Sequence, residues 1–387
     1  MKANYKKNNT LIKRILIAPN SFKECSDSVT ISSIIYNNLK KHLDCSLIQK
    51  PISDGGDGFT EVCNHYYKGE ELFYNVSTPY SDESLECKVV YSKVTKTVYI
   101  ESANVLGLKV VPSKRRNPLM LSSKGLGELL LALADENFDI KKVIIGIGGT
   151  ATIDMGLGAC SVLGLKLFDL SSNEVPVIPS NFYKVKYIEW NKHRLPFSIL
   201  SIIDVSNPLV GVNGAAREFG LQKGADEPSL QVIENGLVNI LNLLQNKGLI
   251  DSSKALSGAG GGIHAGFKIF LDAESISAEK FILEELNAVE EIRKSDLVLT
   301  GEGAFDEQSF MGKGAGIILN KASEYEKKMI LVCGNIDAKV KSRLNEKVNV
   351  FEIAALFDSQ DEAIKKFETG LNNICDKIIK LIIEGIL

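Results

Sequence analysis

The chain has 387 residues, of which 44% are hydrophobic and 24% charged, and its formal net charge at pH 7 is −3. This composition is typical of a globular protein with about two domains. The charge excludes a global basic field for nucleic acid, and no apolar run approaches the roughly 18 residues that a membrane helix needs.

The cysteines and histidines form no recognisable metal or disulfide pattern. Seven cysteines and four histidines are scattered along the chain without a CxxC or HExxH motif. An odd cysteine number without such motifs is typical of a reduced cytoplasmic protein. Residues 1–13 are basic, but the apolar run at 15–18 is too short for a signal peptide, so we predict a disordered tail. A targeting role is the alternative.

The first part of the chain predicts a β-loop-α-β-loop-α arrangement. Residues 14–18 form the first predicted strand, a helix follows at 28–43, and a second strand starts at 47–48 before a helix that ends at Tyr67. Polar loops follow both strands. Lys23 lies on the first loop, and the second carries Asp54, Gly55, Gly56 and Asp57.

The middle of the chain has a different pattern. Strand-like pieces occupy residues 73–102, a helix is predicted at 127–136, and a buried strand at 143–147 leads into a glycine-rich loop with Gly148, Gly149 and Thr150. A strand at 199–203 precedes Asp204 and Asn207, and an amphipathic helix spans 229–246. Residues 167–196 are irregular and receive no assignment.

The alternation of strands and helices predicted for the first part of the chain returns near residue 278. A helix is predicted to 293, followed by a buried strand at 297–299 and a turn at Thr300 and Gly301. Glu302, Asp306, Ser309 and Lys313 come next, before a helix at 315–328. Strands at 329–333 and 348–354 and a helix at 361–383 complete the chain.

These elements predict an α/β protein with two α/β domains. Residues 14–75 and 286–387 are expected to form one discontinuous, Rossmann-like domain, and residues 76–285 an inserted second domain. We expect the active site in the cleft between them, because ligands of open α/β sheets collect at the carboxyl ends of strands.

Acidic side chains follow three predicted strands and are candidates for Mg²⁺, which prefers oxygen ligands. They are Asp54 with Asp57, Asp204, and Glu302 with Asp306. Each is alternatively a helix N-cap or a turn carboxylate. A phosphate or carboxylate substrate also needs cationic partners, and the candidates on these loops are Lys23, Arg217, Lys223 and Lys313. Each is alternatively a solvated surface group.

The run GIGGTATIDMGLG at residues 146–158 is a candidate phosphate-binding loop. Its backbone N–H groups and the Thr150 hydroxyl would be the donors. It is not a GxGxxG motif in register, and a helix packed closely on a strand is the alternative. The chain contains neither a GxxxxGK[ST] P-loop nor the HRD and DFG motifs of protein kinases.

Several long motifs together resemble one family. They are IAPNSFKECSDS, PISDGGDGFTE, IESANVLGL, SSKGLGELLLAL, IGIGGTATIDMGLGA, DVSNPLVGVNGAAREFGLQKGA, GAGGGIHAGF and DLVLTGEGAFDEQSFMGKG. Their order from residue 14 to the C-terminus resembles the bacterial glycerate kinases of the glycerate 2-kinase type. The resemblance implies ATP-dependent, Mg²⁺-assisted phosphorylation of D-glycerate by two α/β domains.

Most of the polar residues of these motifs match the family. The matching residues are Lys23, Asp54, Asp204, Asn207, Gln222, Lys223, Glu302, Asp306, Gln308, Ser309 and Lys313. The departures are Asn20 in place of Asp, Asp57-Gly58-Phe59 in place of Glu-Gly-Thr, Ile153-Asp154-Met155-Gly156 in place of Asn-Asp-Gly-Gly, and an altered block at 259–264 that includes Gly261 and His264.

The expected mechanism is in-line transfer of a phosphoryl group from ATP, with 2-phosphoglycerate as the favoured product. Asp306 or Asp204 would accept the hydroxyl proton, Lys23 and Lys313 would stabilise charge, and Glu302, Asp306 and Asp204 would hold Mg²⁺. Two alternatives are a kinase for another small hydroxy acid and a catalytically weak sensor of nucleotide or sugar acid. The pattern does not indicate an oligomeric state.

Overall fold

The computed structural model describes residues 12–204, 207–251 and 256–386. The chain divides into two compact units. Met1–Tyr66 with Ala278–Leu387 form what we call the terminal unit, and Tyr67–Ser277 form the central unit. None of the described helices is both long and apolar enough to cross a membrane.

The strands are listed here in chain order. They are β1 Arg14–Pro19, β2 Ser46–Gln49, β3 Glu70–Ser77, β4 Ser84–Ser92, β5 Thr97–Glu101, β6 Lys142–Gly146, β7 Leu165–Phe168, β8 Tyr187–Trp190, β9 Ser198–Ile203, β10 Glu274–Ser277, β11 Leu297–Phe305, β12 Lys328–Ile336 and β13 Val348–Glu352.

The α-helices follow in the same order, with several shorter helical turns between them. They are α1 Ser28–His42, α2 Phe59–Tyr67, α3 Ala103–Leu106, α4 Lys124–Asp135, α5 Leu157–Val162, α6 Ala215–Phe219, α7 Glu227–Asn246, α8 Ala259–Phe270, α9 Ala278–Lys280, α10 Ala288–Lys294, α11 Glu307–Phe310, α12 Ala315–Glu324, α13 Ala338–Lys341, α14 Gln360–Lys365 and α15 Phe367–Ile383. The shorter turns are 3-10 helices at Leu108–Val110, Ser113–Arg115, Pro179–Lys184 and Ala354–Leu356 and a π-helix at Phe281–Glu285.

The terminal unit is built on a parallel sheet with the strand order β13-β12-β11-β1-β2. The chain leaves β1 toward β2 on one side and later returns to add β11 on the other. The order therefore reverses between β1 and β11, which is where doubly wound sheets open a crevice for ligands. Asn20 follows β1 at this point, and Glu302 lies near the end of β11.

The central unit is built on a mixed sheet with the strand order β10-β9-β6-β5-β4-β3. β3, β4 and β5 pair antiparallel, whereas β5, β6, β9 and β10 are parallel. The carboxyl ends of β5, β6 and β9 consequently lie side by side. The predicted α/β fold is confirmed, since both units combine helices with parallel or mixed sheets.

Each unit has its own hydrophobic core. In the terminal unit, apolar residues of β1, β11 and β12 pack against α1 and α15, among them Ile15, Ile17, Leu299, Ile35, Leu371 and Ile378. In the central unit, residues of β5 and β6 pack against α4, α7 and α8, among them Val98, Ile145, Leu129, Leu237 and Phe267. Burial of these apolar stripes is the main stabilising contribution to both units.

Three expected boundaries differ from the structure. Residues 1–11 of the predicted tail lie outside the described residues, whereas Ile12 is buried in the core of the terminal unit, as suits its apolar side chain. The units divide near residues 67 and 277, not near 75 and 285. β3 belongs to the central sheet because it pairs with β4, and Phe281 belongs to the terminal unit, where its ring lies 5.5 Å from that of Phe59.

The predicted turn at Thr300 and Gly301 is wrong. β11 continues through both residues to Phe305, and it remains paired with β12 as far as Ile336. Glycine is required here because a Cβ on Gly301 would lie 2.1 Å from the carbonyl oxygen of Val332. Glycine within this strand marks a close approach of neighbouring backbone, which single-sequence reasoning interprets as a turn.

Candidate active site

The acids of the terminal unit converge at the switch between β1 and β11. The backbone N–H of Asn20 donates to the carbonyl of Gly301 at 2.8 Å, which places Asn20 beside Glu302 of the neighbouring strand. Asn20 Nδ2 donates to Asp54 Oδ2 at 3.3 Å. Asp54 and Asp306 both raise the pKa of Glu302 through their charge. We call Asp54, Glu302 and Asp306 the acid cluster.

Glu302 is a buried carboxyl group with an incomplete set of hydrogen bonds. Burial, reinforced by the two neighbouring acids, raises its pKa to about 8, while bonds from Ser309 and from the backbone of Ala315 act in the opposite direction. Among the described residues, no hydrogen bond reaches Glu302 Oε1. Gly314 leaves room for this carboxyl, since a Cβ there would lie 2.5 Å from Oε2.

Asn20 supplies a second buried oxygen without a partner. Its side chain is 6% exposed, and within the described ranges no donor bonds to its Oδ1. Leaving a buried acceptor unpaired costs about 1–3 kcal/mol, so two such oxygens at one strand switch favour a ligand that bonds to both. Both are hard oxygen donors, which fit a cation such as Mg²⁺.

Asp306 is exposed and caps α11. Its Oδ1 accepts from the backbone N–H groups of Gln308 at 2.9 Å and Ser309 at 3.1 Å. The N-cap role that was the alternative for this residue is therefore present. Lys313 Nζ donates to Gln308 Oε1 at 3.3 Å, so the same short turn also carries a cation.

The loop after β2 brings Asp54 to the acid cluster through local hydrogen bonds. Asp54 Oδ1 accepts from the N–H of Gly56 at 3.1 Å, and Ser53 Oγ accepts from Gly55 at 3.2 Å. Gly55 has φ 91°, which favours glycine at this turn. Asp57 is half-buried on the same loop, and Lys23 is exposed on the loop after β1. Lys23 lies close to β11, because a Cβ added to Gly303 of that strand would lie 3.1 Å from the backbone nitrogen of Lys23.

In the central unit, a buried carboxylate holds the glycine loop at residues 146–158 in place. Asp154 is fully buried and accepts from Ser123 N at 2.6 Å, Ser123 Oγ at 2.7 Å, Gly156 N at 3.1 Å and Gly158 N at 3.2 Å. Burial raises its pKa, and these four hydrogen bonds oppose the shift. Gly148 accepts a long bond of 3.5 Å from Ser102 Oγ, and Gly149 is exposed with φ 68°.

Lys223 lies beneath this loop. Its side chain is buried, and Nζ donates to Thr150 Oγ1 at 3.3 Å and to the carbonyl of Thr152 at 3.0 Å. Burial lowers the pKa of Lys223 to about 8, although Asp154 and Asp204 favour its charged form. Asp204 is half-buried at the end of β9, and the two residues that follow it lie outside the described residues.

Two predicted binding residues of the central unit have other partners. Arg217 donates to Gln231 at 2.7 Å and to Glu227 at 3.4 Å, so its guanidinium group lies against α7. Asn207 Nδ2 donates to the carbonyl of Asn213 at 3.2 Å. The structure thus groups Thr150, Lys223 and Asp204 and leaves Arg217 outside that group.

Sequence reasoning missed Asp154 and Ser123 as residues that organise the site. From sequence, Asp154 is named only within the block 153–156, which departs from the family motif. The available signal was a single charged residue in a run of small and apolar ones, IGIGGTATIDMGLGA. Such a residue is almost never fully buried unless it is paired or hydrogen-bonded.

The described side chains do not form a complete metal site by themselves. Within residues 12–204, 207–251 and 256–386, no group of three or more His, Cys, Asp or Glu is arranged to hold a metal ion. Mg²⁺ in phosphoryl-transfer sites commonly uses one or two carboxylates and takes its remaining ligands from water and phosphate. The unpaired oxygens of Asn20 and Glu302 meet that smaller requirement.

The comparisons with known proteins all indicate the same family. The model of the glycerate kinase family matches residues 15–383. A glycerate 2-kinase from Escherichia coli is 34% identical over 369 residues, covering 94% of this chain and 95% of that protein. A glycerate kinase from Halalkalibacterium halodurans is 30% identical, with coverage of 94% and 97%. A crystal structure described as a candidate glycerate kinase 2 from Salmonella typhimurium superposes with TM-score 0.72 at 26% identity, over 95% and 98% of the two chains.

Proposed function

The chain belongs to the glycerate kinase family, and we propose that it transfers the γ-phosphoryl group of ATP to the 2-hydroxyl of D-glycerate. The observation that carries this proposal is the family match over residues 15–383, which includes the acid cluster, the glycine loop and Lys223. Relatives named glycerate kinase or glycerate 2-kinase cover nearly the same length.

Catalysis of this reaction consists mainly of positioning and charge neutralisation. The hydroxyl oxygen of glycerate forms a bond to the γ-phosphorus as the bond to the β-γ bridging oxygen breaks. The hydroxyl proton passes to a carboxylate. Asp306 is our choice of base, because it is exposed and two backbone N–H bonds to its Oδ1 hold the carboxyl group in position. Asp204 is the alternative base.

Mg²⁺ is the proposed metal. Glu302 Oε1 and Asn20 Oδ1 are the buried oxygens without a partner among the described residues, and Asp306 lies in the same cluster. Glu302 and Asp306 are the proposed ligands in the terminal unit. Bound there, the ion would neutralise charge on the nucleotide phosphates.

Cationic groups are proposed to stabilise the transferring phosphoryl group and the substrate carboxylate. Lys313 and Lys23 take this role in the terminal unit. In the central unit, the N–H groups of Gly148 and Gly149, the Thr150 hydroxyl and the buried ammonium of Lys223 are proposed to hold nucleotide phosphates.

Three departures from the family motif favour a second candidate, a kinase for another small hydroxy acid. Asn20 carries no charge where the family has Asp, Asp57 is one methylene shorter than Glu, and His264 replaces a small residue. A panel of hydroxy acids in a coupled ADP-release assay distinguishes the two, because the true substrate gives the highest kcat/KM.

Phosphorus NMR of the products tests the main proposal directly. The purified chain is incubated with Mg-ATP and D-glycerate, with an Asp306→Asn variant as the matched control. We expect the resonance of 2-phosphoglycerate with the wild-type chain and only a trace of it with the variant. A 3-phosphoglycerate resonance would correct the position, and neither product, with no ADP release, would contradict the activity itself.

A further inference from the structure

A basic segment of the central unit contributes no residue to the candidate active site described above. Residues 108–116, which we call the basic loop, form two short 3-10 helices at Leu108–Val110 and Ser113–Arg115. Lys114, Arg115 and Arg116 follow one another directly. Lys114 and Arg115 are exposed, and Arg116 is half-buried.

Backbone contacts fix the start of the basic loop against the glycine loop. Gly107, which immediately precedes it, forms a β-bridge with Thr150. The N–H of Ala151 donates to the carbonyl of Leu106 at 2.6 Å. Val111 and Ala151 are also buried together in a small apolar cluster. The basic loop therefore starts beside the backbone of Thr150, whose hydroxyl accepts from Lys223.

A second contact fixes the end of the basic loop beside Lys223. Gly224 has φ 94°, and a Cβ there would lie 2.3 Å from the carbonyl oxygen of Arg116. Arg116 itself donates to the carbonyls of Leu108 at 3.0 Å and Val111 at 3.2 Å, which closes the loop on itself. The Lys223-Gly224 turn thus lies directly against the backbone of the basic loop.

The basic loop has three exposed cations. Lys109 pairs with Glu101 at 3.1 Å, whereas Lys114 and Arg115 are not neutralised locally. In the described part of the chain, no carboxylate lies within ion-pair distance of Lys114 or Arg115. Arg115 is held by an aromatic face, with Cζ 4.8 Å from the centroid of the Tyr80 ring. Tyr80 packs against the same apolar cluster as Ala151. Arg115 is therefore oriented by packing while its hydrogen-bond donors stay available.

We propose that the basic loop binds the polyphosphate of the nucleotide, with Lys114 and Arg115 as phosphate-binding residues next to Thr150 and Lys223. The inference rests on the proposed function for the identity of the nucleotide. Two unpaired cations added to the Lys223 ammonium match a ligand with several negative charges. Glycerate carries a single carboxylate and would leave most of that positive charge without a partner.

Isothermal titration of the full chain with ATP and with inorganic tripolyphosphate tests the inference without turnover. We expect Lys114→Ala/Arg115→Ala to weaken both affinities at least about tenfold, since charge-assisted bonds to phosphate are the stronger class. The KM for glycerate should stay within about twofold of wild type. The salt dependence of ATP binding should also decrease, because fewer charges take part.

Lys184→Ala is the matched control. Lys184 is exposed, lies over the Tyr183 ring at 5.4 Å and belongs to the same unit, but it is on a different 3-10 helix. It should bind ATP as the wild type does. A charge-conserving Lys114→Arg/Arg115→Lys variant should also retain affinity, which separates charge from folding.

Three outcomes overturn the inference: unchanged affinity in the double-alanine variant, an equal loss in the charge-conserving variant, or a glycerate KM that rises as much as the ATP dissociation constant. Absence of phosphoglycerate with the wild-type chain would instead contradict the proposed function, and tripolyphosphate binding would still decide whether the basic loop holds phosphate.

Discussion

Two carboxyl groups four residues apart have opposite environments in the terminal unit. Glu302 is buried, and burial raises its pKa to about 8, whereas Asp306 is exposed and its Oδ1 accepts two backbone N–H bonds. A buried acid with a raised pKa beside other acids is typical of a functional site. The buried oxygen of Glu302 is suited to a ligand and the exposed oxygen of Asp306 to a proton.

Substitutions of Asp306 and Lys313 test these assignments. We expect Asp306→Asn and Lys313→Ala each to lower kcat at least about a hundredfold, because each removes a positioned acid-base or charge-stabilising group. The measurement is a coupled ADP-release assay at saturating ATP and glycerate.

Glu307→Gln is the neighbouring control for these substitutions. Glu307 is exposed and pairs with Arg343 at 2.7 Å, and such surface pairs contribute little to stability. The Glu307→Gln variant should have a kcat close to that of the wild type. Near wild-type turnover in Asp306→Asn or Lys313→Ala would remove that residue from the mechanism.

His264 predicts acid sensitivity of folding. Burial, with Lys268 adding to it, lowers its pKa to about 4 from an ordinary value near 6.5, and its Nδ1 has no hydrogen-bond partner among the described residues. The unfolded chain binds this proton more strongly than the folded one. The contribution to stability is therefore present above about pH 6.5 and is lost as pH falls toward about 4.

Urea unfolding at a series of pH values measures this effect. We expect the free energy of unfolding of His264→Gln to fall less with acidification than that of the wild type, by up to about 3 kcal/mol at low pH. His193 is exposed, so His193→Gln should keep the wild-type pH dependence. Parallel curves for His264→Gln and wild type would show that this histidine is not responsible.

At the scale of elements, Asp154 joins the glycine loop to Ser123, which directly precedes α4. Its four hydrogen bonds come from donors spread over residues 123–158. The loop carries no regular structure between β6 and α5. Its geometry therefore depends on this carboxylate together with backbone bonds such as that from Ala151 to Leu106. Thr150 and the Lys223 ammonium are positioned through the same loop.

Asp154→Asn should therefore destabilise the chain and weaken nucleotide binding. An amide nitrogen would face an N–H donor at a fully buried position, at a cost of about 3 kcal/mol. Chemical denaturation measures the first effect and ATP titration the second. Asp169→Asn is the control, because that carboxylate also accepts backbone N–H bonds at a turn but is only half-buried. A stable Asp154→Asn variant with normal ATP affinity would refute this role.

Elements with a single, long apolar pattern were the predictable ones. α7 was expected at 229–246 and spans Glu227–Asn246, because Leu230, Ile233 and Leu237 repeat at the spacing of one helix face. The helix expected at 278–293 is instead interrupted by a π-helix at Phe281–Glu285 and by Asn287 with φ 54°. Residues 167–196, left unassigned, contain β8 and the end of β7, which pair antiparallel. The positions of such short strands are determined by their pairing partners more than by the local sequence pattern.

At the scale of the whole molecule, the terminal unit needs both ends of the chain. β1 pairs with β2 on one side and with β11 on the other, and α15 from the C-terminus packs with α1. The central unit is continuous in sequence and has a separate core.

Fragments of the chain test this division. Residues 67–277 expressed alone should unfold cooperatively, because their sheet and core are complete. Residues 278–387 alone should not, because β11 then lacks β1. Co-expression with residues 1–66 should restore a cooperative transition in circular dichroism. A cooperative fold of residues 278–387 by themselves would show that β1 is not required for the parallel sheet.

The sequence by itself determined the α/β class, the main helices and buried strands, and the family, because apolar periodicity and long motifs are local properties of the chain. Only the tertiary structure decided that β11 runs through Thr300 and Gly301, that Asp154 holds the glycine loop and that Lys223 is buried. Each of these depends on partners far away in sequence, Val332, Ser123 and Thr152, and hydrogen bonding and burial are properties of the folded neighbourhood.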